Sequence, residues 1–203
     1  MGTDIMGTVE VRNPFHDPKW SWSEPWTPCM NVSLLVRWPL YCAYGCLFGV
    51  RNYQDWKPIA PQRGLPEDVS QQVRNDFDEA AAIDGAVGGE TWVGWDELKD
   101  LDMSVTAPVS GVLIQTWSDG CGTEWTVHDT WPEKVGRSPL GPSPVGAPFG
   151  KWQVGEVTYE FKKLDRRHVL GPGTGWDKAF DVLRALAAIH GDDGVRLVVG
   201  FVG

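Results

Sequence analysis

No apolar run in this sequence approaches the ~20 residues that cross a bilayer as a helix. The longest, residues 40–50, is interrupted by Gly45 and Gly49. The start of the chain lacks the basic and apolar regions of a secretory signal. Met6 stands where a myristoylation signal carries Ser or Thr. These absences lead to the expectation of a soluble chain, acting in a cytosol and without a membrane partner. An excess of cations is missing too: 18 Lys and Arg stand against 27 Asp and Glu, a formal net charge of −9. Affinity for a nucleic-acid backbone comes mostly from phosphate neutralisation, so a long nucleic-acid partner is not expected. A small anion, which needs only two or three placed cations, stays open.

The usual chemistry-bearing patterns are also absent. The four cysteines, Cys29, Cys42, Cys46 and Cys121, contain no C-x-x-C pair. Cys42 and Cys46 share a face if residues 40–50 are helical; zinc is one reading, buried free thiols the plainer one. The four histidines are scattered. In the adjacent pairs His16-Asp17 and His128-Asp129, neighbouring side chains of a strand point to opposite faces, and a metal needs further ligands. No G-x-S-x-G elbow, Walker A motif or G-x-G-x-x-G fingerprint occurs. Gly171-Pro172-Gly173-Thr174-Gly175 precedes a helical pattern but lacks the phosphate-binding lysine, so it reads as a helix-entry turn. No metal or cofactor is expected, although Asp4, Glu10 and Asp177 would suit acid–base work if the fold gathered them.

What the chain has in abundance is tryptophan, twelve in 203 residues. Trp buries a large area and usually directs its N–H to a partner. A Trp-rich core shell is favoured over an aromatic binding face.

Residues 3–12 alternate, with Ile5, Gly7, Val9 and Val11 on one face, as in a half-buried strand. Residues 13–39 are rich in Pro, Ser and Trp and read as a surface loop, with a short strand at 32–36. Residues 40–50 form a short buried helix ending near Gly49. A proline-braced loop then leads to a helix entered at Pro66, with Val69, Val73 and Phe77 at helical spacing as far as Ile83. Short elements follow: a strand at 91–94, a helix at 95–101 and a hairpin of 109–117 with 123–128, turning at Ser118 to Gly122. Residues 136–150 form a Pro/Gly-rich loop, and residues 153–163 a strand. Thr174 and Asp177 resemble a capping box for a helix carrying Trp176, Ala179, Phe180, Leu183, Ala187 and His190 in one stripe. Residues 195–202 are apolar on both faces apart from Arg196, as in a central strand of a covered sheet. The expected fold is one α+β domain spanning residues 1–203. Its sheet is mixed or mainly antiparallel, includes the N- and C-terminal strands, and is packed by helices 66–83 and 176–190.

The candidate ligand-facing groups are Arg51, Asn52 and Arg63, two guanidiniums and an amide on a rigid loop. Such a set can fork onto a phosphate or carboxylate. The same arginines would equally serve to fasten the loop to backbone carbonyls and acidic neighbours. Asp4, Trp92 and Trp95 complete the candidate set.

The sequences Met1-Gly2-Thr3-Asp4-Ile5, Leu47-Phe48-Gly49-Val50-Arg51-Asn52, Pro58-Ile59-Ala60-Pro61 and Arg63-Gly64-Leu65-Pro66-Glu67-Asp68-Val69-Ser70 carry a further signal. With the segment Trp92 to Leu98 and the closing Val195 to Phe201, they resemble a family of small proteins encoded by bacteriophages and prophages of actinobacteria. Residues 13–39 and 107–150 fall outside the resemblance. Members open Asp-Ile-His, carry His-Ser before the middle Trp segment and close on Phe-Asp-Asn. Here Met6, Gly89-Glu90 and Val202-Gly203 stand in those places. The resemblance implies a phage context, and the departures favour a binder over an enzyme. The expected function is a phage-encoded binding protein of the host cytosol. It would sequester a small polar or nucleotide-like molecule held by Arg51, Arg63 and nearby Trp faces, or inhibit a host defence protein. The alternatives are a metal-dependent hydrolase using Asp4 and a His-Asp pair, and a virion or protein-interaction component.

Overall fold

The computed structural model describes residues 2–20, 23–36, 40–109, 111–118, 123–128, 131, 135 and 149–203. Most of the 136–150 loop, the hairpin turn at 119–122, Trp22, Trp38, Cys121 and Asp129 lie outside these residues.

The first of two antiparallel sheets has the order β2-β1-β8-β3. It is built from β1 (Asp4–Arg12), β2 (Trp26–Asn31), β3 (Val87–Gly94) and the C-terminal β8 (Val195–Val202). As expected from its two apolar faces, β8 is central, hydrogen-bonded to β1 on one side and β3 on the other. The alternation in β1 directs Ile5, Val9 and Val11 into the main core with Val195, Leu197, Val199 and Phe201 of β8. Gly7 belongs to that face for a steric reason. Its φ is 133°, and a Cβ there would run into the Val198 carbonyl of the neighbouring strand.

Two helices seal that face. α1 (Tyr41–Phe48) is buried along nearly its whole length and ends at Gly49 in the left-handed conformation. α5 (Trp176–His190) buries Trp176, Ala179, Phe180, Leu183 and Ala187, the stripe read from the sequence, while His190 stays outside it. Its entry differs by a residue from the capping-box reading: Gly175 is the N-cap, Thr174 Oγ1 accepts from the Trp176 N–H and Asp177 Oδ1 from the Gly175 N–H. Trp176 packs against Phe48 and Phe180 with ring centroids 6.2 and 6.4 Å apart.

The opposite face of the sheet is covered by α2 (Gln71–Ile83), whose Val73 and Phe77 pack with Val198. This helix starts five residues later than the proline at 66 suggests. Ser70 is its N-cap, its Oγ accepting from the Val73 N–H. Residues 66–69 are held out of the helix because the Asp68 side chain and backbone carbonyl, together with the Ser70 N–H, are engaged by the sheet.

Other sequence expectations shift for similar reasons. The strand of the 13–39 segment is Trp26–Asn31, not 32–36, where a single 3-10 turn forms. Pro28 is compatible with it because β2 lies on the sheet edge, beside a bulge at Val9/Glu10. The segment 153–163 is two strands, β6 (Gly150–Val154) and β7 (Val157–Lys162), joined at Gly155 with φ 59°. A short helix, α4 (Arg166–Leu170), follows β7, its Asp165 cap accepting from the His168 N–H.

The second sheet, order β5-β4-β7-β6, adds β4 (Gly111–Trp117) and β5 (Thr123–His128) to β6 and β7. Val112 and Ile114 face the main core, while Leu113 and Phe161 pack with Trp131 and Val135 on the other side. The chain enters and leaves this sheet through adjacent residues: the Ala107 N–H donates to the Leu164 carbonyl at 2.8 Å, and Thr106 bridges Asp165. α3 (Trp95–Leu98) links β3 to this stem.

Replacing Trp176 by Ala removes the centre of the main aromatic cluster and is expected to cost about 3–5 kcal/mol. In urea unfolding, the midpoint falls by roughly 1 M or more with an unchanged slope.

Candidate functional site

The centre of the first sheet, on the α2 face, is charged. Glu10 of β1 and Arg196 of β8 are directly opposed in register and are 0% and 4% exposed. Arg196 Nε donates to Glu10 Oε2 at 2.9 Å, with Nη2 at 2.8 Å from the same oxygen. Its Nη1 donates to Asp68 Oδ1 at 2.8 Å and its Nη2 to the Asp68 carbonyl at 3.3 Å. The other oxygens are occupied as well. Glu10 Oε1 accepts from the Ser70 N–H at 3.0 Å, and Asp68 Oδ2 from Trp26 Nε1 at 2.7 Å. Partial burial works to raise the Asp68 pKa, but the hydrogen bonds from Arg196 and Trp26 outweigh it and hold the carboxyl below its ordinary value.

Around this pair runs an alternation of guanidiniums and indoles. Arg12 lies 4.8 Å from the Trp26 ring, Arg196 3.8 Å from Trp26 and 5.9 Å from Trp92, and Arg63 5.2 Å from Trp92. Strand order produces it: Arg12 pairs with Trp26 across β1 and β2, Arg196 lies on the central strand, and Trp92 comes from β3. These residues, with Leu65, Pro66, Glu67, Gly94, Asp96, Asp193 and Val195, line an open cleft of about 430 Å³.

Of the expected site residues, the structure brings Arg63 and Trp92 together at this cleft. Arg63 acts as a clamp there. Its Nη1 donates to the Trp92 carbonyl and Glu97 Oε1, and its Nη2 to the Ile59 carbonyl and Glu97 Oε2, the two carboxylate bonds both 2.7 Å. Glu97 Oε1 also accepts from the Gly94 N–H at the start of α3. The hydrogen bonds from Arg63 hold the Glu97 carboxyl below its ordinary value, against the opposing effect of partial burial. The fastening role weighed for this loop is therefore the one that Arg63 performs. Thr91 Oγ1 donating to the Ala60 carbonyl and the Gly64 N–H donating to the Glu90 carbonyl dock the same loop along β3.

The remaining candidates lie elsewhere. Asp4 opens β1, eight residues from Arg12 and so about 26 Å along the strand. Arg51, at φ 51°, donates from Nε to Thr3 Oγ1 and belongs to that far end. Asn52 closes a turn, its side chain bonded to both the N–H and carbonyl of Trp56. Trp95 is buried against Phe180. Glu10 is committed to Arg196, and Asp177 caps α5, so the Asp4, Glu10 and Asp177 set does not gather. Among the described residues no three His, Cys, Asp or Glu side chains are grouped as metal ligands. Burial pushes the Cys46 thiol up to about 11, against a smaller opposing effect of Arg166, and Cys42 up to about 12. Both are inert thiols at neutral pH.

The sequence reading missed Arg12, Trp26, Asp68 and Arg196 as site residues. The available signal was Arg196, the single charge in a strand apolar on both faces. A charge there requires a buried counter-charge. Comparison of the chain with protein-family models, curated proteins and solved structures finds no match.

Arg196→Met alone strands the Glu10 carboxylate and is expected to cost about 3–5 kcal/mol, whereas a Glu10→Met/Arg196→Met double variant regains most of that loss. Chemical denaturation of the three proteins checks this. The Arg63–Glu97 clamp gives a pH signature. Because the folded-state pKa of Glu97 is depressed, its contribution is complete above the ordinary value of 4.5 and is lost as pH falls through the folded-state value. The stability difference between the parent and Glu97→Gln is thus expected to be full at neutral pH and to shrink in acid, as read by unfolding at a series of pH values.

Proposed function

We propose that this chain is a binding protein that holds a small polar ligand in the cleft over β1, β8 and β3. The observation that carries the reading is the floor of the cleft. A buried ion pair gives less stability than well-packed apolar residues of the same size. Here that pair is nonetheless set in the centre of the sheet, hydrogen-bonded on every side and opened to solvent at Asp68 and Arg12. A rigid polar floor under a concave wall is the arrangement that recognises a ligand without paying for its own ordering. The cleft volume of about 430 Å³ suits a ligand of metabolite size. The resemblance to phage-encoded proteins supports sequestration of a host-cell molecule as the biological use of such binding.

A thermal-shift screen of polar metabolites tests this reading. A ligand at a hundredfold excess over Kd adds about 2.7 kcal/mol, a Tm rise of roughly 5–10 °C for a chain of this size. The rise is expected to disappear in Leu65→Trp, which fills the cleft, and in Trp92→Ala, which removes one wall. A screen without any stabilising compound, or a rise unchanged in both variants, overturns the reading.

A further inference from the structure

The polar groups of the cleft divide into those used by the fold and those left for a ligand, and the two sets differ in character. The donors are used. All four terminal N–H groups of Arg63 are bonded to Glu97 and to two backbone carbonyls. Arg196 is divided between Glu10 and Asp68. Each of Trp26 and Trp92 also has two guanidinium carbons within 6 Å of its ring centroid. Among the described residues that line the cleft, an incoming phosphate would find one loosely held cation, Arg12, whose Nη2 is 3.6 Å from Asp193 Oδ2 at the surface.

What remains is acceptors. Glu67 on the turn before α2, Asp96 in the first turn of α3 and Asp193 before β8 bring carboxylates to the cleft from three separate elements. Asp193 is 80% exposed in its side chain, and its ion pair to Arg12 is loose. The lining carries three arginines and four carboxylates, and Glu10 and Glu97 stand directly behind Arg196 and Arg63. Six carboxylates against three guanidiniums leave the cleft net negative. Leu65, Pro66 and the half-buried Trp92 supply apolar wall beside these acceptors, which suits the methylene stem of a long amine.

We infer that the cleft takes an organic cation, an ammonium or guanidinium on an aliphatic stem, and not a nucleotide. The inference rests on the binding reading above. The cationic head hydrogen-bonds to the carboxylates at the rim, and its stem lies along Leu65, Pro66 and Trp92. An ammonium brings three donors and no acceptor, and a guanidinium five, which complements a rim of unspent acceptors.

The experiment is calorimetric titration with agmatine, spermidine and a capped Gly-Arg-Gly peptide, set beside AMP and ATP, at low and at 0.5 M salt. At least one cation is expected to bind, more weakly in high salt, and binding is lost in Leu65→Trp. The Glu67→Gln/Asp96→Asn/Asp193→Asn variant is expected to lower that affinity at least tenfold while keeping the parental melting temperature. Preference for the free amines or for the peptide separates a metabolite from a basic side chain of a protein as the source of the cation. Binding of AMP or ATP that Leu65→Trp abolishes, without binding of any cation, overturns the charge inference and leaves the binding reading standing. Cation binding that survives both the Leu65→Trp and the triple carboxylate change overturns the placement at this cleft. No binding by any probe overturns the inference, and the metabolite screen above decides separately whether the cleft binds anything.

Discussion

The rest of the molecule is arranged around one buried contact, the ion pair of Glu10 and Arg196 across the two central strands. A one-residue slip of β1 against β8 would turn Glu10 to the opposite, apolar face and part it from Arg196, so the pair fixes register as well as position. It also reaches out of the sheet. Through Asp68 and Ser70 it determines where the chain stops being loop and becomes α2, and through the Asp68–Trp26 bond it secures the edge strand β2. Four segments distant in sequence are thus oriented by one guanidinium and the two carboxylates it bridges.

The Arg63–Glu97 clamp does comparable work at the other edge. It joins the loop after α1 to the start of α3 and lets the loop run along β3, where an unpaired strand edge would otherwise face solvent. The two clusters meet at Trp92, which touches both guanidiniums. The cleft is the space left between them, so the groups that shape it are the same groups that hold the fold.

Periodicity made β1, β8, α1 and α5 legible, because each buries a stripe of apolar side chains with the spacing of its own backbone. It failed where a tertiary contact overrides local preference. Pro66 with Glu67 and Asp68 makes a good first helical turn in isolation, but Asp68 is held by Arg196, so the helix waits for Ser70. The 153–163 alternation passed through Gly155 without showing that the chain reverses there. The site was legible only in part. Arg63 and Trp92 stood out as unusual residues, yet the residues that share the cleft with them come from β1, β2 and β8, and no spacing rule connects positions 12, 26, 63, 92 and 196. Asp4, Arg51 and Asn52 drew attention for the same local reasons as Arg63, and the fold carries them to the opposite end of the sheet or into a turn.

The hydrogen-bonded stem at Ala107 and Leu164 makes the second sheet a modular graft. The four strands of the first sheet and the helices that cover it come from residues 4–98 and 166–202, and the segment strung between positions 107 and 164 adds Val112 and Ile114 to their shared core. Closing a longer or shorter excursion at that point changes the chain entropy only logarithmically. An insertion or deletion in the excursion that leaves Val112 and Ile114 against the core closes on the same stem and leaves the residues that line the cleft in place.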